Sequence, residues 1–229
     1  HDTRRRGNHG ARSARSRIGS ETQNSDAAGF PVNDRAAAPI VDASTQHTPQ
    51  PRELKRGKIL VLGAGGNLGL ALLAEDGAPV IGLDRSALDI CNHGAVARRL
   101  AELAPVAVIN AAAMANVDQC EREPERAMQI NAVAPGAIAR ICAMQSIPLV
   151  HVSTDYVFGA DGLDCPRRES DAPAPINIYG RTKRLGEDAV LDAGGAACVV
   201  RTAWLFGFAN DFPNRMIARA QEGASLKVT

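Results

Sequence analysis

From Lys58 onward, short apolar runs alternate with longer stretches whose apolar positions recur every three or four residues. The runs "KILVLGA", "PVIGLD", "VAVINAAA", "IPLVHVST" and "AACVVRTAW" are rich in Val, Ile and Leu and lack strict alternation. That pattern predicts strands covered on both faces. Between them, "HGAVARRLAEL" and "PERAMQINAVAPGAIARICAMQ" carry the spacing of amphipathic helices. Alternating β and α elements predict an α/β fold, a doubly wound parallel sheet of the Rossmann type with right-handed crossovers.

Residues 1–56 have no such periodicity. They are rich in Arg, Ser, Asn, Gln, Pro and Gly, and bury too little surface to offset the entropy of ordering. We expect a disordered basic tail there and a single folded domain over 57–229. Arg4, Arg5, Arg6, Arg12, Arg15 and Arg17 come without the leucines of a transit helix or the aromatic residues that stack bases, so they read as solvated. The tail holds ten of the 26 basic residues and six of the 25 acidic ones, which leaves 16 basic and 19 acidic in the domain. That balance provides no electrostatic footprint for nucleic acid.

No apolar run approaches the roughly 18 residues of a membrane span. Cys91, Cys120, Cys142, Cys165 and Cys198 are scattered and form no CxxC pair, as expected of reduced thiols. A cytoplasmic protein without nucleic-acid or membrane partners is expected. The first residue is His1, and the chain stops at "SLKVT" just as another strand begins, so a domain truncated at its carboxyl end is also expected.

The first strand runs into "GAGGNLG". Glycines at this junction let the backbone approach a pyrophosphate while the first N–H groups of the next helix point at it. Gly63, Gly66, Asn67, Leu68 and Gly69 are therefore candidate cofactor-binding residues. The second strand ends at Asp84, whose carboxylate suits the ribose hydroxyls of NAD, and the adjacent Arg85 suits the 2′-phosphate of NADP. NADPH or NADH is the expected cofactor, with both usable.

"YGRTK" places Tyr179 and Lys183 four residues apart, on one face of a helix. A ketone that accepts a hydride needs a proton on its oxygen, and a phenol can supply it. An ammonium nearby is expected to bring the phenol pKa down toward neutrality. "VHVSTDYVFG" delivers Thr154 to the carboxyl end of a strand, where its hydroxyl can donate to the same carbonyl, with Asp155 and Tyr156 beside it. A bland alternative is that Thr154 and Asp155 merely cap the following turn. Trp204 also falls at a strand end. "NAAA", Asn110 to Ala113, offers small residues for a cofactor to lie against or for tight helix packing. Asn131 lies in an apolar helix and is expected to tie a strand to it.

Together, "GAGGNLG", "NAAAMANVDQCE", "INAVAP", "HVSTDYVF", "INIYGRTKRLGE" and "RTAWLFG" resemble the dTDP-4-dehydrorhamnose reductase family of extended short-chain dehydrogenases. The resemblance runs from about Lys58 to the last residue. It implies reduction of the C4 ketone of dTDP-4-dehydro-L-rhamnose by NADPH or NADH to give dTDP-L-rhamnose for cell-surface polysaccharide, with Thr154, Tyr179 and Lys183 catalytic. It further implies that Asp155, Tyr156 and Trp204 contact the sugar nucleotide, that Asp89 and Ile90 lie near the adenine, and that Ala111, Ala112 and Ala113 lie along the cofactor. A homodimer is an assembly such proteins adopt. Met114 and Ala115 depart from the family's usual residues. Ala71 stands where magnesium-binding members have a glutamate, so no metal is expected there. The small lobe that closes over the substrate is expected to be largely absent. Two other readings share the scaffold: another 4-keto nucleotide-sugar reductase or epimerase, and a non-catalytic regulator like the β subunit of methionine adenosyltransferase.

Overall fold

The computed structural model describes residues 57–75, 77, 79–159, 165–207 and 211–223, so the expected tail at 1–56 lies outside the described residues. Five strands make one parallel sheet: β1 (Ile59–Leu62), β2 (Val80–Leu83), β3 (Ala107–Asn110), β4 (Leu149–Thr154) and β5 (Ala197–Thr202). Their order is β2-β1-β3-β4-β5. Leu62 pairs with Leu83 on one side and with Asn110 on the other, so the first three strands end level and their loops open at one edge.

The helices follow from this order. The β1–β2 crossover runs one way along the sheet and the later crossovers run the other, so right-handed connections place them on opposite faces. Helix α1 (Asn67–Ala74) packs against β1 and β2. Helices α2 (His93–Leu103), α5 (Ala134–Met144) and α6 (Ile178–Leu191) pack side by side on the other face. Leu60, Leu62, Val96, Leu100, Val108 and Ile138 are fully buried in that layer. Two short helices, α3 (Val117–Arg122) and α4 (Pro124–Met128), follow β3, and α7 (Phe212–Gln221) follows β5. None of the helices among the described residues is long and apolar enough to cross a membrane.

Two expectations are corrected. The strands are not all covered on both faces: Cys198 is exposed on β5, as is Val200, at 42%. The α1 crossover does not extend that far. The long helix over 124–144 is also not uniform, because a wider π turn at Gln129–Val133 separates α4 from α5. Pro135 lacks the N–H that an α-helix would donate to the Asn131 carbonyl, and Ala134 N–H reaches back to Gln129 O instead.

Because Leu60 is wholly enclosed at the centre of the sheet, Leu60→Ala should lower unfolding free energy by about 2–5 kcal/mol. Urea denaturation measures this, and a loss under about 1 kcal/mol would show that the site collapses around the gap.

Candidate active site

A cavity of about 610 Å³ opens at the carboxyl edge of the sheet, between the loops that leave β1, β2 and β3. This is where the chain reverses its direction along the sheet, the place at which open α/β sheets hold ligands. Gly63 and Gly66 line it from the first loop, Asp84, Arg85, Asp89 and Ile90 from the second, and Ala111, Ala112 and Ala113 from the third. Gly63 has φ +81°, and a β-carbon there would stand 2.6 Å from the backbone nitrogen of Ala112. A β-carbon on Gly69 would collide with the Gly63 carbonyl, so that glycine serves to seat α1 against the turn. Gly69, Asn67 and Leu68 lie outside the cavity lining. What they bring to it is the start of α1, which has no side-chain cap and leaves its first N–H groups for an anion.

At the far end, Asp84 Oδ1 accepts from Ser86 Oγ at 2.7 Å and from Ala87 N–H at 2.9 Å. Those bonds, the Ser86 hydroxyl foremost, hold the carboxyl below its usual range. Asp89 Oδ1 accepts from Cys91 N–H at 2.9 Å. A turn closed on Ala112, an uncapped helix start, and a carboxylate with a guanidinium at the opposite end fit a dinucleotide. Sequence reasoning did not single out Ser86 or Arg126, which share this lining. Ser86 had a signal, since a serine two residues after Asp suits a side-chain-capped turn. Arg126 had none, because α4 reaches the cavity only through the fold.

A smaller cavity, about 260 Å³, is lined by Thr154, Asp155, Tyr156, Tyr179 and Trp204, and Ala115 lines both cavities. Thr154 Oγ1 accepts from Tyr156 N–H at 3.2 Å and donates to Asp155 Oδ1 at 3.1 Å, so the capping role is real and coexists with its place in the cavity. The Tyr156 and Tyr179 rings meet edge to face, with centroids 5.6 Å apart. Trp204 is 64% exposed and braced edge-on by Phe212, with centroids 5.4 Å apart.

Lys183 lies outside the lining of either cavity. Its side chain is fully buried, and Nζ donates to Val152 O at 2.7 Å and lies 3.3 Å from His151 Nε2. Burial lowers its pKa to about 8, against the pull of Glu187. The expected acidification of Tyr179 is therefore corrected for this state of the site. Burial pushes the phenol above its ordinary value, and the opposing pull comes from the Thr154 hydroxyl. The lysine donors are turned toward the strand.

The family model described as the RmlD substrate binding domain matches residues 57–229. The chain belongs to this RmlD family. The dTDP-4-dehydrorhamnose reductase of Mycolicibacterium smegmatis is 48% identical over 176 residues, 75% of this chain and 53% of that protein. A probable dTDP-4,6-dihydroxy-2-methyloxan-3-one 4-ketoreductase of Streptomyces antibioticus is 42% identical, covering 74% of this chain and 59% of that one. Among solved structures, the dTDP-4-dehydrorhamnose reductase of Bacillus anthracis in complex with NADP matches with a TM-score of 0.67 at 35% identity. That match covers 73% of this chain and 60% of that one. The chain spans about half the length of the curated relatives it matches. Among the described residues no cluster of three or more His, Cys, Asp and Glu is placed to hold a metal.

In this RmlD-family chain the position of Tyr179 depends on how α6 is anchored. Asn177 caps the helix by accepting from Gly180 N–H at 2.7 Å, and Ile178 N–H donates to Glu121 Oε1 at 2.8 Å. β-Carbons on Gly180 and Gly186 would strike the carbonyl oxygens of Tyr156 and Asn131. Asn131 does tie strand loop to helix as expected: its amide accepts from Met114 N–H at 2.8 Å and donates to Met114 O at 3.0 Å and Thr182 Oγ1 at 3.2 Å. Glu187, 1% exposed, accepts from Ser153 Oγ at 2.6 Å, from Arg201 at 2.9 and 2.7 Å, and from Arg184 at 3.1 Å.

Burial alone would raise the Glu187 carboxyl, but hydrogen bonds from Arg201 and Ser153 hold it below its ordinary value. A carboxyl depressed in the folded state adds stability above its unfolded pKa, and that stability is lost as pH falls through the folded pKa. Glu187→Gln should therefore cost roughly 3 kcal/mol at neutral pH and flatten the decline in stability below about pH 4.5. Denaturation across pH tests it, and an unchanged acid slope would rule out this carboxylate as the source.

Proposed function

We propose that residues 57–229 form an NAD(P)-binding domain of a reductase that converts the C4 ketone of dTDP-4-dehydro-L-rhamnose to the alcohol of dTDP-L-rhamnose. The observation that carries this reading is the meeting, at Ala115, of the glycine-turn cavity with the cavity that holds Thr154 and Tyr179. Relatives and a solved structure named as dTDP-4-dehydrorhamnose reductases support it.

When bound, a reduced nicotinamide cofactor supplies the hydride. The chain's own part is to hold the ketone and deliver a proton. Tyr179 is the proton donor, and its burial keeps the phenol protonated at neutral pH. Thr154 turns its hydroxyl from Asp155 to the carbonyl oxygen, while the bond from Tyr156 N–H keeps that oxygen atom in place. Lys183, one helical turn beyond Tyr179, stabilises a phenolate once the proton has left when it carries its own proton as the ammonium. Asp155, Tyr156 and Trp204 face the sugar nucleotide. Gly63 and Gly66, with the first N–H groups of α1, receive the pyrophosphate, and Asp84 and Arg85 receive the adenosine ribose.

A second reading, reduction of a different 4-keto nucleotide sugar, is supported by the 42% identity to the Streptomyces antibioticus protein named as a probable 4-ketoreductase. A panel of 4-keto dTDP-sugars, with cofactor oxidation followed by absorbance, separates the two. Because Asp84 and Arg85 favour different cofactors, the Michaelis constants for NADH and NADPH should differ by less than about a hundredfold. Tyr179→Phe removes only the transferable proton. It should lower turnover by about 10²–10⁴-fold and leave cofactor affinity nearly unchanged. Undiminished turnover in that variant would refute the assignment of Tyr179.

A further inference from the structure

Strand β4 places His151, fully buried, between two polar side chains. Asn110 Nδ2 lies 3.2 Å from Nδ1, and Lys183 Nζ lies 3.3 Å from Nε2. These partners decide where the ring proton sits. A backbone N–H can only donate, so the 3.2 Å bond from Ala112 N–H fixes Asn110 Oδ1 toward Ala112 and turns the amide NH₂ toward His151. Nδ1 must then accept, and a neutral imidazole keeps its one proton on Nε2. That N–H points at Lys183 Nζ, which itself donates to Val152 O at 2.7 Å.

The five groups form a chain whose hydrogen bonds all run in one direction, from Ala112 through Asn110, His151 and Lys183 to Val152. The direction is consistent only while Nζ keeps a lone pair. With an ammonium at that point, two N–H groups would face each other across 3.3 Å. Relief would require the ring proton on Nδ1, a reversed Asn110 amide and an Ala112 N–H without its acceptor.

We propose that His151 is a positioning residue for Lys183: pinned by Asn110 with its proton on Nε2, it favours the uncharged amine and couples lysine protonation to the Ala112 backbone in the cofactor cavity wall. The effect on turnover rests on the reductase reading, but the coupling itself does not.

Other groups around Lys183 leave room for this switch. Glu187, one turn further along α6, favours the ammonium, but its charge is taken up by Arg201 of β5 and by Arg184, with Ser153 of β4 donating as well. Tyr179, one turn back, is acted on by Cys120 of α3 and by Asp155 and Tyr156 after β4. Burial, with the adjacent lysine, pushes His151 down to about 2, so the ring itself stays neutral. Burial brings Lys183 to about 8, where amine and ammonium are both accessible near neutral pH.

Nuclear magnetic resonance on the whole protein tests this without any turnover. Histidine ring ¹⁵N shifts should show His151 neutral from about pH 5.5 upward, with the proton on Nε2 above about pH 9, where Lys183 is the amine. A cationic ring, or a proton on Nδ1 at a pH where Lys183 is uncharged, would overturn the proposal. The chain has four lysines, so the ¹³Cε signal of Lys183 can be assigned and titrated. In the wild type the Ala112 amide shift should follow that titration. In His151→Gln the new side chain can offer an oxygen to the ammonium, so the Lys183 midpoint should rise by about one pH unit, a tenfold change in proton affinity. The Ala112 response should also be lost, and an unmoved midpoint would overturn the proposal. Should the variant not fold, the wild-type tautomer and the Ala112 titration still decide. Absence of ketone reduction by a wild-type protein that passes these tests would count against the reductase reading alone.

Discussion

Helix α6 is fastened to the sheet by buried polar groups. Lys183 Nζ donates to the Val152 carbonyl, and Glu187 takes hydrogen bonds from Ser153 and Arg201. Each of these groups would be costly to bury without a partner, so a shift of α6 by one residue would leave one of them unpaired. Glycines at 180 and 186 complete the constraint, because only their missing side chains let the helix lie so close to the Tyr156 and Asn131 carbonyls. Tyr179 stands where it does because this register is set by polar pairing.

The same fastening shapes the division between the two cavities. Asn131 sits in the π turn opened by Pro135 and grips both the N–H and the C=O of Met114, while also reaching Thr182 on α6. The loop from Ala113 to Asn116 is thereby tied to the helix that carries Tyr179. Ala115, common to both linings, is held next to a gripped residue. A phenol and a dinucleotide-sized cleft are kept adjacent by one amide side chain, and such preorganisation is what transfer chemistry between two bound molecules requires.

Much of this was legible in the chain. The glycine turn was readable because Gly63 must adopt a left-handed backbone and Gly69 must admit a carbonyl, and both demands fall on the residue itself. The one-face pairing of Tyr179 and Lys183 follows from helical spacing alone. His151 went unmarked within "VHVSTD" although it occupies an inward position of a buried strand, where a polar ring must find partners. Those partners, Asn110 and Lys183, are 41 and 32 residues away in sequence, so no local pattern announces them. The acidification expected of Tyr179 also failed for a distant reason: Lys183 donates to the Val152 carbonyl of β4, and burial raises the phenol.

By itself the sequence determined the alternation of strands and helices, the glycine junction and the set of side chains gathered at the strand ends, because backbone conformation and periodicity are local properties. Tertiary structure alone decided which face of the sheet is left open at β5, where Arg126 joins the cleft, and which way Lys183 points. Those outcomes depend on burial and on the supply of hydrogen-bond partners, which arise only when segments far apart in the chain are brought into contact.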